Sequence, residues 1–249
     1  MSHVRLRGID VQLPIYDADS RRLLRLPSFG KAQVGTKTLN HSGAIVIQAL
    51  SNFDLDLDDG DRVCLIGHNG AGKTTLLRVV ANIYPPTGGT VDIDGSVVAL
   101  LGHNLSLNPD ATGYENVQLV ADLYDWPRSR LPDYIRDIEE FTELGEYLSL
   151  PTRVYSAGML TRLAFAMATM QPPDVLVIDE GIGAGDAHFQ ARAQARATKF
   201  IGQAKIMLLA SHSVELCKAI CTKALVLAKG KREFFGDIDE GFRVYAQLD

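Results

Sequence analysis

Cysteines are scarce in this chain of 249 residues, and none of the 3 stands in a C-x-x-C spacing. Their scarcity argues against a disulfide framework and favours reduced thiols. Cys217 and Cys221 lie one helical turn apart with His212 upstream, but the spacing of a four-ligand metal site is missing. We therefore expect the two cysteines to be small apolar residues of a helix, with a metal site as the less favoured alternative.

Long hydrophobic runs and an excess of positive charge are also missing. No run of about 18 apolar residues occurs, and the N-terminus lacks the apolar stretch of a signal peptide. We therefore expect a chain that neither crosses the membrane nor is secreted by that route. Lys and Arg total 25 against 30 Asp and Glu, and the net charge of -5 argues against a broad nucleic-acid face and hence a nucleic-acid partner, with a local basic patch as the alternative. Apolar residues, at 46%, suffice for a core.

A glycine-rich sequence, G-H-N-G-A-G-K-T, occupies residues Gly67–Thr74. The apolar run Val63–Ile66 predicts a buried strand before it, and the apolar segment from Thr75 onward predicts a helix after it. Glycines let several backbone N–H groups point at a phosphate, and the helix adds the positive end of its dipole. A tight strand-to-helix turn would explain the glycines but not the Lys-Thr pair.

The loop therefore predicts a nucleotide site in which Lys73 reaches the β- and γ-phosphates and Thr74 binds Mg²⁺. The candidate nucleotide-binding residues are Gly67, Asn69, Gly70, Ala71, Gly72, Lys73, Thr74 and Thr75.

A second apolar run, Val175–Ile178, ends in Asp179 and Glu180. A strand buried on both faces is typical of a parallel sheet, and open α/β sheets bind ligands at the carboxyl edge. That edge places Asp179 beside the phosphate loop, where it could hold Mg²⁺ through water, and Glu180 could orient the attacking water. Two solvated carboxylates that cap a strand are the alternative.

A third apolar run, Ile206–Ala210, is followed by His212. At the carboxyl end of a strand in this fold, an imidazole can donate a hydrogen bond to a γ-phosphate. A lone histidine is more often an ordinary loop or core residue, which is the alternative here.

The sequence Y-S-A-G-M at Tyr155–Met159 precedes an apolar helix. Ser156 is a good N-cap, and Gly158 allows a close backbone approach. The N-terminus of such a helix is an anion site. Because the chain already has one phosphate-binding helix, a second one implies a phosphate held by another subunit.

With these motifs in this order, from about Val46 to the C-terminus, the chain resembles the ATP-binding-cassette (ABC) ATPases, whose two copies sandwich two ATP molecules head to tail. The resemblance implies a homodimer with ATP and Mg²⁺ as cofactors. It also implies catalytic roles for Glu180 and His212, communication across the dimer by Asp186, and contact of Ser156 and Gly158 with the partner's γ-phosphate.

Finer features resemble the ATPases of polysaccharide exporters that serve O-antigen, capsule or teichoic acid. They include Ala111–Val117, Gly183–Phe189, and Met159 at the end of the Y-S-A-G-M motif, which is the signature motif of the family. This resemblance implies a peripheral ATPase at the cytoplasmic face of the inner membrane, with two transmembrane permease subunits and a polysaccharide or lipid-linked glycan as substrate. An ATPase of another transporter, such as an importer, and a non-transport ABC ATPase are the alternatives. A P-loop GTPase is disfavoured, because no N-K-x-D motif occurs.

Two positions depart from the family pattern. The glutamine usual after the strand predicted at Val97–Leu101 is missing, and His103, Asn104 or Asn108 are the candidates to replace it. The segment before Val46 is longer than usual, which obscures the residue that stacks on adenine. Tyr16 is the preferred candidate, with an ordinary core tyrosine as the alternative.

We therefore predict an α/β fold: a P-loop ABC-type ATPase with a mixed sheet core, an antiparallel β portion and an inserted helical subdomain. The core is expected at about residues 1–110 and 158–249 and the helical subdomain at about 111–157, with no C-terminal carbohydrate-binding domain. Thr112 and Glu115 predict a capping box at a helix start. Arg21, Arg22 and Arg25 suggest a segment that meets phosphate groups at the membrane, with a solvated surface helix as the alternative.

Overall fold

A computed structural model of the chain describes residues 1–14, 36–39, 45–101, 107–179 and 187–248. The strands are β1 (His3–Pro14), β2 (Thr36–Leu39), β3 (Ile45–Asp58), β4 (Arg62–Ile66), β5 (Gly88–Asp94), β6 (Val97–Leu101), β7 (Val175–Asp179), β8 (Ile206–Ala210), β9 (Lys223–Ala228) and β10 (Lys231–Asp237). The helices are α1 (Lys73–Val80), α2 (Gly113–Leu123), α3 (Leu131–Thr142), α4 (Ala157–Ala168), α5 (Ala187–Gln203), α6 (Val214–Ile220) and α7 (Ile238–Ala246). Short 3₁₀ helices cover Arg128–Arg130, Gly145–Ser149 and Thr152–Val154.

The chain forms two compact units. The sheet unit comprises residues 1–99, 174–180 and 205–249, and the helical unit comprises residues 100–173 and 181–204. The helical unit contains the whole predicted segment 111–157 but extends beyond it, because it also takes in α4 and α5. The reason is a shared apolar core, in which Leu163 and Phe165 of α4 and Phe189 of α5 pack with Ile138 and Phe141 of α3.

Two sheets build the sheet unit. One is antiparallel, with strand order β2-β3-β1-β5. The other has the order β10-β9-β4-β8-β7-β6, in which β9, β4, β8 and β7 run parallel and β10 is antiparallel to β9. The predicted α/β fold with a mixed sheet and an antiparallel portion is therefore confirmed.

Burial follows the apolar pattern of each strand. In β1 the side chains of Val4, Leu6, Ile9 and Val11 are buried, because this strand shows only one face to the core. In β8 all five residues are buried, as expected of a central parallel strand covered on both faces. The carboxyl ends of β4, β7 and β8 thus meet at one edge of a buried sheet.

The start of α2 has the predicted capping box. The Thr112 hydroxyl accepts the Glu115 amide at 3.1 Å, and the Glu115 carboxylate accepts the Thr112 amide at 2.7 Å. These bonds lower the pKa of Glu115, because they stabilise its charged form. Within the described part of the chain, none of the helices has both the length and the apolar character needed to span a bilayer.

Candidate nucleotide site

The phosphate loop joins β4 to α1, as the sequence predicts, and backbone groups of distant segments surround it. A Cβ on Gly67 would lie 2.4 Å from the carbonyl oxygen of Leu227 in β9. A Cβ on Gly72 would lie 2.7 Å from the carbonyl oxygen of Ala49 in β3, and Gly72 also has a left-handed φ of 109°. Only glycine fits both positions, so the shape of the loop depends on β3 and β9.

A turn near the C-terminus completes this support. Lys229 and Gly230 join β9 to β10, and the Gly230 amide donates to the Ala71 carbonyl at 2.9 Å. The Gly230 carbonyl in turn accepts the Ser51 amide at 2.9 Å. The turn therefore links the phosphate loop to β3 through backbone hydrogen bonds.

The start of α1 carries the groups that bind anions. Lys73 donates from Nζ to the carbonyls of Gly67 and His68, the latter at 3.1 Å. Gly72 is the N-cap, and as a glycine it has no side chain with which to cap this helix. Because the first-turn amides of a helix lack helical partners, these amides and the Lys73 ammonium together suit a phosphate.

A pocket of about 320 Å³ opens beside this loop. Its lining includes predicted residues from the ends of three strands. The phosphate loop follows β4, Asp179 ends β7 and His212 follows β8. The predicted residues in its lining are Asn69, Gly70, Gly72, Lys73, Thr74, Thr75, Asp179 and His212. The Thr74 hydroxyl and the Asp179 carboxylate supply the hard oxygen donors that Mg²⁺ prefers, so the residues present fit this ion.

The lining also has an apolar wall that sequence reasoning missed, made by Leu13 of β1 and Ile47 and Ala49 of β3. The apolar residues of both strands were visible in the sequence. Their meeting at this pocket depends on the antiparallel pairing of β1 with β3, in which Leu13 lies opposite Ile47. Tyr16, the predicted adenine-stacking residue, lies outside the described residues.

Other predicted residues also lie outside the described residues, namely Glu180, Asp186, His103 and Asn104. Asn108 lies in the helical unit, where its Oδ1 accepts the Asp110 amide at 3.0 Å and its carbonyl accepts the Thr152 hydroxyl at 2.9 Å. Its side chain thus supports a turn. The residue that replaces the missing glutamine stays a prediction.

The signature segment begins α4 in the helical unit. Tyr155 is buried, its hydroxyl donates to the Tyr147 carbonyl, and burial raises its pKa. The next residue, Ser156, is exposed and caps α4 by accepting the Met159 amide at 3.3 Å. Among the described residues outside its own helix backbone, a Cβ on Gly158 would meet only the Ser156 hydroxyl, at 3.9 Å. A buried tyrosine therefore fixes the start of a helix whose first turn has open space around it.

The three cysteines are all buried, which agrees with the expectation of apolar packing. Cys64 of β4 and Cys217 of α6 bring their sulfur atoms to 2.6 Å. Contact with the thiols of Cys217 and Cys221, together with burial, raises the pKa of Cys64, so this thiol stays protonated. Among the described residues, no group of His, Cys, Asp or Glu side chains has a metal-binding arrangement.

Comparison with known proteins identifies the family. The profile described as ABC transporter matches residues 50–183. The chain is 38% identical to the O-antigen export system ATP-binding protein RfbE of Yersinia enterocolitica, over 92% of this chain and 96% of that protein. It is 37% identical to the teichoic acids export ATP-binding protein TagH of Bacillus anthracis over 77% of this chain, but the match spans only 35% of that longer protein.

A solved structure titled as an ATP binding subunit of an ABC transporter has the same fold. The TM-score is 0.68 at 19% identity, and the match covers 98% of this chain and 93% of that one. The profile match and the relative of nearly equal length agree with the motifs at the pocket. The chain therefore belongs to the ABC transporter family, as one of its ATP-binding ATPases.

Proposed function

We propose that this protein powers the export of a polysaccharide or lipid-linked glycan through a membrane partner, by binding and hydrolysing ATP. The observation that carries the proposal is the 38% identity, over nearly the whole of both chains, to an O-antigen export ATP-binding protein. The whole chain then acts as a single nucleotide-binding domain.

In this proposal the pocket beside the phosphate loop receives ATP-Mg²⁺. The Lys73 ammonium and the first-turn amides of α1 bind the β- and γ-phosphates, and the apolar side chains of Leu13 and Ile47 offer a surface for the base. Mg²⁺ held by Thr74 and Asp179 would neutralise charge on the phosphates.

Two side chains carry the hydrolytic step. Glu180 directly follows Asp179 in the sequence, and in this proposal its carboxylate would accept a proton from the water that attacks the γ-phosphate. His212 lines the pocket at the end of β8 and would donate a hydrogen bond to the γ-phosphate.

A homodimer completes each site. Ser156 and Gly158 stand at an exposed helix N-terminus, which suits a phosphate brought by a second copy of the chain. Asp186 is the proposed residue for communication across that dimer.

Two transmembrane permease subunits are the proposed partners at the cytoplasmic face of the inner membrane. In the helical unit, α2 exposes Leu119 at 50% and, one turn later, Leu123 at 75%, followed by Tyr124 at 43%. An exposed apolar row of this kind is suited to a protein partner. Arg21, Arg22 and Arg25 remain proposed contacts to lipid or glycan phosphates.

The hydrolytic assignment is tested with Glu180→Gln. The amide cannot accept a proton from water, so steady-state hydrolysis should fall by about 100-fold or more while ATP affinity stays within about threefold. Glu233→Gln, which changes an exposed glutamate of β10 in the same way, should leave both quantities unchanged. Near-normal turnover by Glu180→Gln would remove this residue from the mechanism.

The substrate assignment needs a separate experiment. The tagged chain is purified from membranes in mild detergent, and the co-purifying permease and its lipid-linked material are identified by mass spectrometry. A lipid-linked glycan supports the proposal. A permease that carries a different substrate class would make the protein the ATPase of another transporter.

A further inference from the structure

The C-terminal helix α7 contacts the phosphate loop through one aromatic pair. The ring centroids of Tyr245 and His68 are 5.2 Å apart, and the planes are inclined by 45°. The Tyr245 hydroxyl and the His68 Nδ1 atom lie 3.4 Å apart, within hydrogen-bonding reach. His68 is exposed at the front of the loop, whereas Tyr245 is half-buried. A residue close to the C-terminus therefore packs against the second residue of the nucleotide-binding motif.

The position of α7 is well defined by its other contacts. The Asp237 carboxylate caps the helix by accepting the amides of Asp239 and Glu240, at 2.9 and 3.2 Å. A Cβ on Gly241 would lie only 2.2 Å from the Ala224 Cβ in β9, so the helix rests directly on the strand. The Lys218 ammonium of α6 pairs with Asp239 at 2.5 Å and holds the first turn. With its first two turns anchored, α7 presents Tyr245 in a fixed place.

His68 connects this helix to the residue that binds phosphate. The His68 carbonyl oxygen accepts hydrogen bonds from both the Lys73 ammonium and the Ala71 amide, each at 3.1 Å. A shift of His68 would therefore alter both the turn of the loop and the place where Lys73 rests. Loops that bind ligands lose affinity when they must be ordered during binding, because ordering costs conformational entropy.

We propose that Tyr245 is a positioning residue for ATP binding, which acts through His68 to hold the phosphate loop in its binding shape. Tyr245 does not touch the nucleotide in this proposal. Its ring restricts the His68 side chain, its hydroxyl bonds the imidazole, and the ordered loop presents Lys73 and the α1 amides to the phosphates. The inference rests on the proposed ATP-binding function of the pocket.

The test separates binding from turnover. Because Tyr245 orders the loop before binding and touches no reacting atom, Tyr245→Ala should raise the KM for ATP and the Kd for a fluorescent ATP analogue by about three- to tenfold, with kcat within about twofold. Tyr245→Phe keeps the ring contact and loses the hydroxyl, so its KM should rise only about twofold. Gln247→Ala, at an exposed position of the same helix end, should match the wild-type protein in all three quantities.

A double-mutant cycle shows whether the effect passes through His68. If it does, Tyr245→Ala should raise KM by less than about 1.5-fold in a His68→Ala background, because the contact is already lost. Independent effects that multiply, or an unchanged KM in Tyr245→Ala, would overturn the proposal. Should Tyr245→Ala fail to fold in a thermal melt, the cycle is run with Tyr245→Phe, and multiplied or absent effects overturn the proposal in the same way.

The wild-type protein in the same binding assay distinguishes a failure of the role of Tyr245 from a failure of the proposed ATP-binding function. If the wild-type protein binds ATP and the variants bind it equally well, only the role of Tyr245 is wrong. If the wild-type protein does not bind ATP, the proposed function fails, and the role of Tyr245 fails with it.

Discussion

In the described part of the chain, the starts of α1 and α4 both suit a phosphate, and they are built in opposite ways. The start of α1 is enclosed, since Gly67 and Gly72 fit against carbonyl groups of β9 and β3 with no room for a side chain. The start of α4 is open, since Ser156 is exposed and, within the part of the chain that the structure describes, a Cβ on Gly158 would meet just the Ser156 hydroxyl, at 3.9 Å. One helix start uses glycine and no side-chain cap, and the other uses a serine cap.

The difference indicates which site is complete within one chain. The enclosed loop already has its supporting backbone, a lysine and a pocket beside it. The open helix start has a firm anchor in buried Tyr155, whereas a Cβ on Gly158 would have no described neighbour closer than 3.9 Å beyond its own helix backbone. We infer that the first site is preorganised within the chain and that the second becomes useful against a second copy.

The largest effect on stability is expected when a glycine at the start of α1 and one at the start of α4 are each replaced by alanine. Gly72→Ala imposes a left-handed φ on alanine and a contact with the Ala49 carbonyl, so the free energy of unfolding should fall by about 2–4 kcal/mol. Gly158→Ala has room and sits in a helix, where alanine is favoured over glycine, so the free energy of unfolding should stay unchanged or rise by up to about 1 kcal/mol. Urea unfolding measures both.

ATP affinity and hydrolysis should also differ between Gly72→Ala and Gly158→Ala. Gly72→Ala should lower ATP affinity in any oligomeric state, whereas Gly158→Ala should keep the affinity of isolated chains and reduce hydrolysis only in the dimer. Equal loss of stability in the two variants would contradict the contrast between an enclosed and an open helix start.

An intermediate effect is expected from mixing two inactive variants. Lys73→Ala damages the enclosed site, and Ser156→Arg blocks the open helix start that faces the partner's nucleotide. Each homodimer has both composite sites damaged, but the heterodimer has one site intact. Mixing should therefore restore about a quarter of wild-type hydrolysis, if half of the dimers are mixed and one intact site suffices. Specific activity that does not depend on protein concentration, with no recovery on mixing, would contradict composite sites.

The smallest effect concerns the sheet behind the enclosed loop. Asp174 precedes β7 and pairs with Lys205 at 2.7 Å, and it also accepts the Ser96 amide at 2.7 Å. The Lys205 ammonium, followed by the Ser96 groups, lowers the pKa of Asp174 from its ordinary 3.8 to about 2. A depressed carboxyl pKa contributes stability above the ordinary value, and the contribution disappears as the pH falls from about 4 through about 2.

Asp174→Asn should therefore lower the free energy of unfolding by about 1–2 kcal/mol at pH 7, after allowance for the half-exposed Lys205. The difference from the wild-type protein should shrink toward pH 2. Asp122→Asn in the helical unit removes an exposed partner of Arg128 and should change stability little at either pH. A difference for Asp174→Asn that is constant with pH would show that the ion pair is not its cause.

Local features of the sequence predicted much of the site. The strand before the phosphate loop, the helix after it and the capping box at Thr112 each depend on neighbouring residues, and each has the expected form. The meeting of Asp179 and His212 in one pocket also follows from a local pattern, because continuous apolar strands form parallel sheets with a shared carboxyl edge.

Features that depend on distant pairing could not be predicted in this way. Nothing near Ile47 in the sequence indicates that it lies opposite Leu13, and the register of two paired strands sets that contact. The packing of α4 against α3 and α5 likewise joins apolar side chains that lie far apart in the sequence. The support of the phosphate loop by Leu227 and Gly230 likewise needs the three-dimensional structure.

The backbone bonds between the phosphate loop and the β9–β10 turn have a consequence for biosynthesis. The Ala71 carbonyl accepts a hydrogen bond from the Gly230 amide. His68 contacts Tyr245, which lies 177 residues further along the chain. A nascent chain on the ribosome contains its nucleotide motif well before it contains the β9–β10 turn and Tyr245, which support that motif. Contacts of such long sequence separation form late in folding. We therefore expect a truncated product that ends before Gly230 to carry the motif without the contacts that support its shape.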